Sequence, residues 1–184
     1  MQQSLYATST PSCGIRHVAS ALPIFALRTT ARKHILLIIR ELLDFTPDSQ
    51  GTDLSVVLKY FSDALKKRCT TFLISDYIDS HDYSRALSVA ANRHDIYGIQ
   101  VYDKRDSKLP NVGLMRISDL ETGADRWINT SSKKVRQTFE KWWYQRQQTM
   151  VETLRKSRVD FVSVTTDEDY VTPLMGLFRK RTAR

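Results

Sequence analysis

Phe72-Leu73-Ile74-Ser75-Asp76-Tyr77-Ile78-Asp79 runs from unbroken apolar side chains into acidic ones. Thr70–Ser75 is therefore read as a short strand of the kind buried on both faces of a parallel sheet. The acids after it fall outside the strand's carboxyl end, where an open α/β sheet places its binding site. A second segment, Gly51-Thr52-Asp53-Leu54, opens a helix that carries Leu54, Val57, Leu58, Phe61 and Leu65 on one face. Thr52 or Asp53 is its expected N-cap. Lys66-Lys67-Arg68 closes it with cations, which suit the dipole at a helix C-terminus. The two segments give two loops at one sheet edge, each offering oxygen ligands.

Outward from this pair the pattern stays regular. The spacing predicts a helix over 81–92 with Leu87, Val89 and Ala90 inward, a strand over 96–102, and a polar loop over 103–110. Residues 112–117 and 126–128 read as a hairpin around Glu121-Thr122-Gly123. A long helix over 133–157 points Val135, Phe139, Trp142, Trp143, Met150 and Leu154 inward, followed by a strand over 158–164 and a helix over 170–181. Upstream, Ile35, Leu36, Ile38, Ile39, Leu42 and Leu43 recur at helical spacing as a buried face, and Pro47 ends that helix. Alternating strands and helices imply a parallel, doubly wound sheet, from which the hairpin is an inserted departure.

The chain has 184 residues, enough for one ordinary domain with a sizeable core. Its net charge is +8, but residues 1–40 hold Arg16, Arg28, Arg32, Lys33 and Arg40 and no acid, so most of the excess is an acid-poor N-terminus. A nucleic-acid surface clusters its cations on one face, and no such partner is expected. No apolar run approaches the roughly 20 residues that span a bilayer, so no membrane partner is expected either. Cys13 and Cys69 stand far apart without metal-ligand spacing, which fits a reduced, cytoplasmic setting. Residues 1–31, rich in Ser, Thr, Ala and Arg, form a poorly specified N-terminal extension, and 32–184 form the domain.

Thr52, Asp53, Asp76 and Asp79 admit two readings. Mg²⁺ takes about six oxygens at roughly 2.0–2.1 Å, commonly one or two carboxylates plus waters. Alternatively these residues are helix caps and loop formers, which spacing alone favours. Asp167-Glu168-Asp169 follows the last strand and either caps the last helix, the favoured reading, or widens an acidic rim. His17, His34, His81 and His94 show no ligand spacing. No nucleophile elbow, phosphate-binding loop, dinucleotide fingerprint or zinc-protease motif occurs, so the chain is expected not to be an enzyme. Trp142-Trp143-Tyr144 cannot share one helical face, so one of them is exposed or packs on another element.

These residues resemble a known family. Arg32-Lys33-His34-Ile35-Leu36, Ile39-Arg40-Glu41-Leu42-Leu43, Gly51-Thr52-Asp53-Leu54, Ile74-Ser75-Asp76-Tyr77 and Arg93-His94-Asp95-Ile96 occur in the order of the bacterial "domain of unknown function 58" family. So do Leu109-Pro110-Asn111-Val112-Gly113, Asp119-Leu120-Glu121-Thr122-Gly123, Thr165-Thr166-Asp167-Glu168-Asp169-Tyr170 and Leu177-Phe178-Arg179-Lys180-Arg181. The resemblance implies a von Willebrand factor A-like fold, incomplete at its N-terminal half. It also implies a metal-ion-dependent adhesion site in which Thr52 and Asp76 match the second and third elements. The family often accompanies MoxR-type AAA+ ATPases, which implies a protein-binding adaptor with such a partner.

The first element, an Asp-x-Ser-x-Ser loop, should precede residue 32, where residues 1–31 carry no acid. The chain therefore reads as the C-terminal part of a family member, truncated or frame-shifted, with Thr52 and Asp76 as an incomplete metal site and Asp53, Asp79 and Asp167 as its rim. Mg²⁺ binding is expected to be weak or absent. Without the central strand, Thr70–Ser75 is expected to be an apolar edge prone to self-association. Residues 18–27 are the segment available to pair there, interrupted by Pro23. The competing readings are a fragment without independent function and a metal-dependent hydrolase using Asp76 and Asp79.

Overall fold

The computed structural model describes residues 53–118 and 125–182, the strands at 3–8 and 21–26, and positions 36, 39, 40, 43 and 44. In chain order the elements are β1 (Gln3–Thr8), β2 (Ala21–Ala26), α1 (Leu54–Ala64), β3 (Thr70–Ser75), α2 (Ser84–Arg93) and β4 (Asp95–Tyr102). A 3₁₀ turn (Lys104–Ser107), β5 (Leu114–Ser118), β6 (Asp125–Asn129), α3 (Lys133–Lys156), β7 (Asp160–Thr165) and α4 (Val171–Thr182) follow. One sheet has the order β2-β1-β3-β4-β7, and β5-β6 form a separate antiparallel pair.

Strands β3, β4 and β7 are parallel neighbours, with Phe72 opposite Tyr97 and Ile99 opposite Val162. Their side chains alternate between two cores, as the pleat requires. On one face Leu73 of β3 and Ile96 of β4 join Leu54, Leu58 and Phe61 of α1, Leu87 and Ala90 of α2, and Met150 and Leu154 of α3. On the other, Phe72, Tyr97, Ile99, Val162 and Val164 meet Leu174 and Leu177 of α4. Helices thus cover both faces, which is why these strands are apolar on both sides. Leu54, Leu58, Phe61, Leu87 and Leu154 are completely buried, and each contributes about 1.5–3 kcal/mol by leaving water.

Gly98 lies in the middle of β4 on the three-helix face. A Cβ there would sit 2.9 Å from Tyr77 Oη and 3.0 Å from Phe161 Cβ. The missing side chain gives Tyr77 the room to lay its ring into the core and donate its hydroxyl to Leu73 O at 3.0 Å.

Four expectations are corrected. The sheet is not wholly parallel: β1 runs antiparallel to β3, with Leu5 opposite Leu73. For the same reason Thr70–Ser75 is not an open edge, since the backbone of β1 pairs with it along Ser4–Thr8, and self-association through β3 has no free ladder to use. The pairing segment is Gln3–Thr8 rather than residues 18–27. Ala21–Ala26 lies one strand further out, parallel to β1, and puts Pro23, which lacks a backbone donor, on an outer strand. Finally, Leu36, Ile39 and Leu43 are helical but 66%, 45% and 80% exposed, so at these positions the apolar stripe is not a buried face.

The inserted hairpin is present as β5–β6. No helix among the described residues is long and apolar enough to cross a membrane.

Candidate functional site

Because β3, β4 and β7 are parallel, the loops that follow them leave from one edge. Three acidic loops meet the solvent there: 76–82 after β3, 103–106 after β4 and 167–169 after β7. Directly after β3 the chain turns sharply. Tyr77 takes a left-handed φ of 58°, and its N–H donates to Ser75 Oγ at 2.9 Å. Asp76 Oδ1 accepts from Ile78 N at 3.0 Å, closing an Asx turn on its own loop.

The turn delivers Asp79 to the start of α1. Its side chain is completely buried. Asp79 Oδ2 accepts from Leu54 N at 2.7 Å, and Asp79 Oδ1 accepts from His81 N at 2.8 Å. A buried carboxyl group needs such donors, and the first turn of a helix has unsatisfied N–H groups to give. Asp53 is the N-cap itself: its Oδ1 accepts from Ser55 N at 2.9 Å, Ser55 Oγ at 2.6 Å and Val56 N at 3.1 Å. Burial pushes its carboxyl upward, but the bonds from Ser55 and Val56 outweigh this and hold it below the ordinary aspartate value.

His81 closes the group, its Nδ1 3.0 Å from Asp79 Oδ1 and 3.9 Å from Asp53 Oδ2. Ligand atoms of Asp53, Asp79 and His81 all lie within 4.8 Å of one another. That is close enough to share a cation, yet both oxygens of Asp79 and one of the two of Asp53 already accept from backbone donors.

A cleft of about 430 Å³ lies between this loop and α3. Trp142, 40% exposed, forms part of its wall. Arg146 stacks 5.3 Å above the Trp142 ring and donates to Asp79 O at 2.5 Å. Tyr83 is pushed up to about 12, by burial first and by the nearby Asp79 carboxyl second. Of the aromatic triplet, Trp143 is buried, whereas Trp142 and Tyr144 face solvent.

Of the residues singled out from sequence, Asp53 and Asp79 come together, and His81, which has no ligand spacing in the sequence, joins them. Asp76 is turned to its own loop, and Thr52 lies outside the described residues. Asp167 is engaged by Lys104 Nζ at 3.2 Å. The capping expected of Asp167-Glu168-Asp169 falls to Asp169 alone, which accepts from Val171 N and Thr172 N at the start of α4.

Parallel strands between helical layers, with capped acidic loops gathered at the carboxyl edge, define an α/β domain of the open-sheet class. The family described as protein of unknown function DUF58 matches residues 15–150, and the chain belongs to it. An uncharacterized protein of Mycobacterium avium is 26% identical over 129 residues, covering 70% of this chain and 76% of that protein. Uncharacterized proteins of Mycobacterium bovis and Mycobacterium tuberculosis are 25% identical over 154 residues, covering 83% of this chain and 48% of theirs. The chain thus spans about half the length of these last two relatives. No solved structure matches it.

Proposed function

We propose that this chain is a non-enzymatic, cytoplasmic protein-binding module of the von Willebrand factor A type. Its metal-ion-dependent adhesion site is degenerate, and its partner is a MoxR-type AAA+ ATPase. The observation that carries this reading is the engagement of the carboxyl-edge acids. Asp53, Asp76 and Asp79 accept from backbone N–H groups at the start of α1 and in the loop after β3. An adhesion site needs such carboxylates turned outward to a cation. Against enzymatic use, the Cys69 thiol that neighbours His94 is buried, and burial pushes it above its ordinary value, away from the reactive thiolate.

Calorimetric titration with Mg²⁺ on the full chain and on Asp76→Ala tests the site. The expected outcome is no saturable binding in the micromolar range for either. Micromolar binding by the native chain that disappears in Asp76→Ala would overturn the degenerate site. Co-purification with a MoxR-type ATPase, in Mg²⁺ and in EDTA, tests the partner, and equal retention in both is expected. Turnover of ester or phosphoester substrates that requires added Mg²⁺ would restore the hydrolase reading.

A further inference from the structure

Two rows of large apolar side chains lie outside both cores. The first is Leu36, Ile39 and Leu43, helical and 66%, 45% and 80% exposed. The second is Val171, Met175 and Phe178 on one flank of α4, 50%, 48% and 44% exposed. Their spacings mirror each other: steps of three then four residues along the first, and three then four when the second is read backwards from Phe178. Such steps draw a single seam along a helix. We propose that the helix carrying Leu36, Ile39 and Leu43 docks antiparallel on this flank of α4, setting Leu36 beside Phe178, Ile39 beside Met175 and Leu43 beside Val171.

The path of the chain supplies the direction. Ala26, the last residue of β2, is aligned through Thr8 with Thr70 at the entry of β3. Leu54, the first residue of α1, bonds through its N–H to Asp79 beyond the exit of β3. Residues 27–53 must therefore cross from the amino to the carboxyl edge of the parallel strands. Helix α4 leaves the exit of β7 and runs the opposite way, bringing Phe178 back to Tyr97. Side by side the two helices are antiparallel, as the mirrored spacing requires.

The sheet has room on this side. The opposite face holds α1, α2 and α3. On the α4 face, among the described residues, Leu174 and Leu177 of α4 cover Tyr97, Ile99 and Val164 of β4 and β7. Five strands about 4.8 Å apart are roughly 20 Å across, and one helix about 10 Å wide spans only half of that. Phe178 turns the flank toward the remaining half: its ring meets Phe72 of β3 edge-on at 5.8 Å. The groove thus has the α4 row as its wall and β3 as the start of its floor. Two seams joined within one chain meet at high effective concentration. Docked there, the helix ends at the carboxyl edge, so residues 45–52, which carry Thr52, are tethered between it and the Asp53 cap. This proposal does not rest on the adhesion-module reading.

The test is methyl NMR on the ¹³C-methyl-labelled full chain, read for nuclear Overhauser contacts. The expected result is contacts from Ile39 to Met175 and from Leu43 to Val171. In urea unfolding, Leu43→Asp should raise the unfolding constant about tenfold, as the loss of one buried leucine does. It should have no further effect in a chain that already carries Met175→Asp. No such contacts in the native chain, or a Leu43→Asp variant as stable as the native chain, would overturn the docking. Contacts seen only between differently labelled chains in a mixed sample would overturn it too, and would give the groove to a second copy.

Discussion

At the carboxyl end of the parallel strands, Asp53, Asp76, Asp79, Asp82 and Asp169 all accept hydrogen bonds from backbone N–H groups within their own loops or at helix starts. At the amino end, Arg68 and Arg158 border a cavity with Asp95 and Asp160, and among the described residues buried His94 keeps one nitrogen without a partner. The acidic edge looks more like a site when charges are counted, and less like one when hydrogen bonds are followed. Acids after a strand first satisfy the helix starts around them, and only what is left over is free for a ligand.

The contrast breaks most directly at Asp79. Asp79→Ala removes a buried acceptor from Leu54 N, His81 N and the His81 ring, and should cost about 3 kcal/mol in urea unfolding. Asp79→Asn, which keeps an acceptor oxygen, should recover part of that. Stability unchanged in Asp79→Ala would mean that the carboxyl-edge acids are not structural. Gly98→Ala comes next, at about 2 kcal/mol, because the added methyl displaces the Tyr77 hydroxyl and presses on β7. Its signature is a shift in near-ultraviolet circular dichroism from Tyr77.

Asp53→Ala, which removes an N-cap, should cost about 1 kcal/mol. The Asp53 carboxyl is held below its ordinary value in the folded chain. Its contribution is therefore present above the unfolded aspartate value near pH 3.8 and is lost as pH falls further. Stability curves of native chain and variant should converge in acid. His94 works the other way: burial, then Arg93 and Arg68, hold its imidazole below the ordinary 6.5. The unfolded chain takes up that proton first, so stability falls as pH drops below about 6.5, and His94→Phe should flatten this slope. The smallest effect is a gain of up to about 1 kcal/mol in Arg158→Gly, from relief of the left-handed backbone (φ 57°) just past α3.

Much of the domain was legible because its helices and strands carry their burial in their spacing. Leu54, Val57, Leu58, Phe61 and Leu65 are buried together as their period requires, and Thr70–Ser75 is a strand with the bounds expected. In α3 the stripe failed halfway. Met150, Leu154 and Trp143 are buried, but Trp142 stands at the cleft, because adjacent residues point about 100° apart around a helix and only one of the pair can face the core. Strands β1 and β2 were not legible, since Gln3–Thr8 has little apolar alternation and its identity as a strand depends on β3 being beside it. The grouping of Asp53 and Asp79 with His81 was hidden for a related reason: the contact joins a helix start to a loop beyond the next strand. So was the Cys69–His94 contact, which joins the residue before β3 to the residue before β4.

The antiparallel seating of β1 has a consequence for how the chain is made. Translation produces Gln3–Thr8 well before Thr70–Ser75, and with it one half of a ladder whose other half has yet to be synthesised. Contacts so distant along the chain are slow to form. Until β3 emerges, the edge of β1 that faces away from β2 is without its partner, exposed to whatever else offers an unpaired edge.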